Sequence, residues 1–130
     1  MKLSIVFILC FLFGYGNTIE YSHENPSSVF TIDFIKNNEK TIYGKFCYVT
    51  RDGARIDCDN SFKGVKRNNK IYFDFNSSFG GKNGRAMIKF ISEKQILWKL
   101  LKKPIGEFYV PKRMILSLND SSPKKMHNLN

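Results

Sequence analysis

Two cysteines flank a single tight-turn signal in the stretch KFCYVTRDGARIDC, and that symmetry limits what the chain can become. A two-residue turn at Asp52-Gly53 suits the type I′ hairpin connection. It sets Arg51 opposite Ala54, Val49 opposite Ile56 and Cys47 opposite Cys58. The cysteines then stand about 5.5 Å apart at Cα if theirs is a hydrogen-bonded pair, within disulfide range. Closing so short a loop contributes about 2–3 kcal/mol. The expectation is a bridged hairpin in a small, oxidised, β-rich domain.

The third cysteine, Cys10, lies in an apolar leader. Met1-Lys2 gives a positive start, residues 3–13 are apolar apart from Ser4, and Gly14-Tyr15-Gly16 supplies small residues where a signal peptidase cuts. Residues 1–16 therefore read as a cleaved signal peptide, with Thr18 as a nearby alternative end. The run is too short for a bilayer core, which needs about 20 apolar residues. Leu9 stands where a lipid-modified cysteine would need a small neighbour. The mature chain is then secreted or periplasmic, with no transmembrane segment.

The mature chain reads as one domain over residues 29–118. Residues 17–28 form a polar, loose lead-in, and residues 119–130 a disordered basic tail. Between them lie runs at 29–35, 41–50, 54–58, 71–76, 85–91, 95–101 and 107–118, rich in β-branched and aromatic residues. Asn37-Asn38, Asp52-Gly53, Asn68-Asn69 and Gly80-Gly81 punctuate them. About seven short antiparallel strands make an all-β meander, as a closed or partly open barrel or, alternatively, a β-sandwich. Closure would remove exposed sheet edges, which favours the barrel.

Alternation sets the core register. Phe73, Ile88, Phe90, Ile96 and Trp98 are the expected core, with Ile88 opposite Trp98 and Phe90 opposite Ile96 across a three-residue turn, Ser92-Glu93-Lys94. A two-residue turn would rotate a core row to solvent. The same logic sets Phe73 opposite Ile88 and Tyr72 opposite Lys89. The stretch Pro104 to Pro111 reads as an extended edge strand whose prolines end pairing.

Charge narrows the partner. Twenty-one Lys and Arg against 11 Asp and Glu give a formal charge of +10, or +9 once Lys2 leaves. Such a surplus favours an anionic partner. Outside the cytosol the available anions are acidic proteins, acidic glycans and lipid headgroups rather than nucleic acid. Tyr72, Lys82, Arg85, Lys89 and Lys99, with Arg51 and Arg55 at the hairpin tip, are the candidate contact residues. Met87 and Leu97 lie among them on the outward side.

Chemistry is harder to place. His23 and His127 sit in the expected loose ends, Cys47 and Cys58 are consumed by the bridge, and Asp57 has Arg55 as a neighbour for simple pairing. No nucleophile–base pair, metal set or phosphate loop is spelled out. The reading is a monomeric, non-catalytic binding protein without metal or cofactor, of inhibitor or immunity type, for an acidic protein partner. An anionic envelope polymer (glycan or lipid headgroup) is the alternative. A lipocalin-like carrier of a small ligand is another, although the Gly-x-Trp that lipocalins carry near their start has no counterpart here.

Overall fold

The computed structural model describes residues 18–35, 40–50 and 55–119. The leader, the Asn37-Asn38 turn, the Asp52-Gly53 turn with Arg51, and residues 120–130 of the tail lie outside them. Eight antiparallel strands close into an up-and-down barrel in strict chain order: β1 (Thr18–Asn25), β2 (Ser28–Ile35), β3 (Thr41–Thr50), β4 (Ile56–Arg67), β5 (Lys70–Phe75), β6 (Gly84–Phe90), β7 (Gln95–Lys102) and β8 (Arg113–Leu118). Strands β1 and β8 close the ring through Tyr21 opposite Leu118 and Ser22 opposite Ser117. The barrel expectation holds, with eight strands instead of seven.

The extra strand is β1, in the stretch expected to be loose. Ile19 and Tyr21 alternate inward and are buried, whereas the intervening Glu, Ser and His residues hide the pattern. A turn at Pro26-Ser27 joins β1 to β2. The Asn25 side-chain oxygen accepts the backbone N–H of Ser27 at 2.9 Å and of Ser28 at 2.8 Å, and proline sets the backbone angle behind it. Asn119, assigned to the tail, is also anchored: its N–H donates to the Glu20 carbonyl at 2.9 Å.

Two other boundaries move. Strand β4 runs on from Cys58 to Arg67, past a bulge opposite Gly44 and Phe46 that absorbs the polar stretch after Cys58. Phe62 packs over Gly44 so closely that a Cβ there would lie 2.5 Å from the Phe62 ring. The expected strand at 107–118 is a strand only from Arg113. The segment before it is a strap across one barrel end, not an edge strand. It pairs through a single bridge, Lys82 with Ile105, and through Gly81 N–H to the Glu107 carbonyl at 3.0 Å. Strand closure elsewhere leaves it no edge to occupy.

The hairpin register is as expected: Val49 faces Ile56 and Cys47 faces Cys58, joined by the disulfide. The Cα separation is 4.2 Å, that of a narrow, non-hydrogen-bonded pair, not the wider spacing expected. Ile88 faces Trp98 and Phe90 faces Ile96. Phe73, however, faces Ala86, and Ile71 takes Ile88. The slip is by two residues, so every side chain keeps its face. Tyr72 consequently stands opposite Met87 and not Lys89.

Inside, Trp98 is fully buried at the centre of an aromatic cluster. Its ring centroid lies 5.1 Å from Phe30, 5.2 Å from Phe46, and 5.8 Å from both Phe73 and Phe75. The indole N–H donates to the Pro111 carbonyl at 2.7 Å. Ile88 and Ile96 are buried beside it, and half-buried Phe90 packs edge-on against Phe34 at 5.6 Å. Trp98→Ala removes the centre of this cluster and should cost about 3–5 kcal/mol. Urea unfolding followed by far-UV circular dichroism measures it; an unchanged midpoint would contradict the assignment.

Candidate functional site

Outward positions on β4 to β8 form cross-strand rows, because each residue on a strand stands level with its partners on the next. One row reads Val65, Tyr72, Met87, Lys99, Arg113. The adjacent row, two residues along each strand, reads Arg67, Lys70, Lys89, Leu97, Ile115. Arg67, Lys70 and Lys89 are thus three cations on neighbouring strands about 4.8 Å apart, and Lys99 faces Arg113 in the same way. Among the described residues, none of these five has a carboxylate within ion-pairing distance. The ion pairs found are Arg85 with Asp74 at 3.0 Å and Lys45 with Asp33 at 3.9 Å.

Like charges directly opposite on a sheet are destabilising. The arrangement also brings apolar groups among the cations, with Val65 and Ile115 exposed. Met87 and Leu97, outward as expected, are more covered: Met87 is buried and Leu97 half-buried.

The candidate residues fall into two places. Tyr72, Lys89 and Lys99 share the basic wall, with Arg85 at its margin neutralised by Asp74. Lys82 and Arg55 belong instead to the end closed by the strap, and Arg51 lies outside the described residues. Arg67, Lys70 and Arg113 carry no signal in the sequence that marks them for this wall. The first two become visible only once β4 is known to extend to Arg67 and turn at Asn68-Asn69, where Asn68 has φ 57°.

At the strap end, Arg55 does not pair with Asp57. Its guanidinium lies 4.7 Å over the Tyr109 ring, and Phe79 meets that ring edge-on at 4.6 Å. A hydrogen bond to Glu107 pushes the Tyr109 phenol above its ordinary value. Asp57 points inward and is fully buried. One carboxylate oxygen accepts the Ser77 hydroxyl at 2.7 Å and the Ser78 N–H at 3.1 Å. The other accepts the N–H groups of Tyr109 at 2.6 Å and Val110 at 3.2 Å. A single carboxylate therefore ties the loop at 76–83 to the strap. No spacing rule announces it; the cue in the sequence is only that Asp57 alternates with the outward Cys58 and so faces inward.

The wall on the other side of the barrel is acidic. Glu20 and Asp33 stand directly opposite on β1 and β2, with Lys45 beyond on β3. Burial, followed by the hydrogen bond and charge of Glu20, pushes the Asp33 carboxyl up to about 6, against the opposing pull of Lys45.

Compared with protein-family models, curated proteins and solved structures, the chain gives no match. Among the described residues no helix is long and apolar enough to cross a membrane. This and the disulfide are compatible with an extracellular location.

Two variants probe these groups. Asp57→Ala strands three backbone N–H groups and the Ser77 hydroxyl without their acceptor, and should cost at least about 3 kcal/mol. Hydrogen exchange at Ser78, Tyr109 and Val110 should quicken most; uniform change across the barrel would deny the tie. For Asp33, the folded carboxyl holds its proton up to about 6, whereas an unfolded one loses it near 3.9. Between those values the folded state binds more protons, so the group's contribution falls as pH rises through the window. Asp33→Asn should therefore gain stability relative to wild type between about pH 4.5 and 7 in paired urea titrations. A pH-independent difference would refute the shifted carboxyl.

Proposed function

We propose that this is an exported, non-catalytic binding protein of inhibitor or immunity type, which takes an acidic protein partner on the outer wall of β4 to β8. The observation that carries the reading is the pair of cation rows, Arg67-Lys70-Lys89 and Lys99-Arg113, lacking carboxylate partners among the described residues. Opposed like charges work against the fold, and an anionic surface laid over them reverses the sign of that contribution. Solubility alone needs net charge, not rows of one sign.

The apolar side chains among the cations support a protein as the partner. An interface centre is apolar and a rim polar, and Tyr72 and the rim arginines are residue types that dominate interface energetics. A carrier role has less support, because the interior is occupied by the Trp98 cluster. Export rests on the leader and on the Cys47–Cys58 bridge, since disulfides persist in oxidising compartments.

Reversal of Lys89 and Lys99 to Glu, two outward positions on β6 and β7, should keep the fold and raise the melting temperature slightly, because each replaces an opposed like-charge pair by an opposite one. It should weaken capture of the acidic partner from a native envelope extract by roughly tenfold or more. Wild-type binding should survive in part at about 0.5 M salt, because apolar contacts outlast screening of exposed charges. Undiminished capture by the reversed variant would reject the wall.

A further inference from the structure

The basic wall is not uniform. Between β4 and β7 it is indented by a cleft of about 470 Å³, bordered by Lys63, Val65, Arg67, Tyr72, Arg85 and Leu101. Val65 and Leu101 are exposed hydrophobic side chains at its edges, and Tyr72 stands directly opposite Val65. Along β4 the outward residues read Lys63, Val65, Arg67, a cation on each side of an apolar centre. The two cations are four residues apart, about 13 Å along the strand. Asp74, also on the border, pairs with Arg85 at 3.0 Å, both side chains largely exposed, so the cleft carries one anion offset by one of its three cations.

From this geometry we infer that the cleft receives one apolar or aromatic anchor side chain of the acidic partner, with carboxylates on both sides of that anchor meeting Lys63 and Arg67. The inference rests on the acidic-partner reading of the wall and adds what the cations alone do not give, a hydrophobic specificity determinant. The chemistry comes from two things at one place. Val65, Tyr72 and Leu101 offer apolar surface for the anchor to cover, and interface energy concentrates in such anchored side chains. The flanking cations select the charge of the neighbouring residues and reject basic ones. An apolar surface interrupted by cations on both sides is poorly used by a uniformly charged polymer, which has nothing to place on Val65 or Leu101.

Two fluorescent nine-residue peptides test it by anisotropy against the full mature protein. Both carry two glutamates on each side of the central position; one has phenylalanine at the centre and the other alanine. The phenylalanine peptide should bind roughly tenfold tighter, as burial of one large side chain implies. Val65→Asp or Leu101→Ser should abolish that preference, while Ile35→Ser, an exposed apolar position on β2 outside the wall, should keep it. Melting curves confirm that each variant is folded. Equal binding of both peptides would overturn the anchor while leaving the acidic-partner reading intact. Failure of both peptides to bind would overturn both. Binding to phosphatidylglycerol vesicles or heparin that is itself lost in Val65→Asp would assign the cleft to an anionic lipid or glycan surface and overturn the protein anchor.

Discussion

An eight-stranded barrel encloses a space just wide enough for side chains to fill, and here a single indole occupies its middle. Trp98 touches rings contributed by β2, β3 and β5, so four of the eight strands meet on one residue. This contact fills the middle of the barrel around the indole. With the interior occupied, the outside of the wall and the barrel ends are the surfaces left open to contact. Strand alternation then decides which residues are offered, because each inward ring leaves its neighbours facing out.

Much of that alternation is legible in the chain. The rows Ile71-Phe73-Phe75, Ala86-Ile88-Phe90 and Ile96-Trp98-Leu100 can be read as inward faces, and the Ser92-Glu93-Lys94 turn sets the β6–β7 register correctly. The β5–β6 register is not fixed in that way, because a slip of two residues preserves both faces and the connecting loop at 76–83 imposes no length rule of its own. Strand β1 is hidden since it buries only Ile19 and Tyr21. In a closed barrel, edge-to-edge hydrogen bonding with β2 and β8 supplies what apolar content does not. The strap misleads for the opposite reason, as Phe108, Tyr109 and Val110 have the composition of a strand but are held by Asp57 and not by a ladder.

For the candidate site, composition and alternation disclose the sign of the charge and some of its carriers, Tyr72, Lys89 and Lys99. They do not disclose the neighbours. Arg67 and Lys70 flank a turn and look like ordinary solvated residues until β4 and β5 are paired, when they come level with Lys89. Charge is also segregated around the circumference, with Glu20 and Asp33 on β1 and β2 and the cation rows beyond β4. The segregation is incomplete, since Lys45 pairs with Asp33 on one side and Asp74 with Arg85 on the other. The Asp33 carboxyl holds its proton to higher pH, first because it is partly buried and then because Glu20 stands beside it.

The tie through Asp57 joins parts of the chain made far apart: its acceptor oxygen meets Tyr109, 52 residues later. Until that later segment arrives, the hairpin exposes a charged group aimed at what will become apolar interior, where lone ions are costly. A nascent or clipped chain ending before the strap would therefore be left with an unshielded ion beside the cluster of rings. The end cap thereby makes completeness of the polypeptide a condition for burying its own foundation.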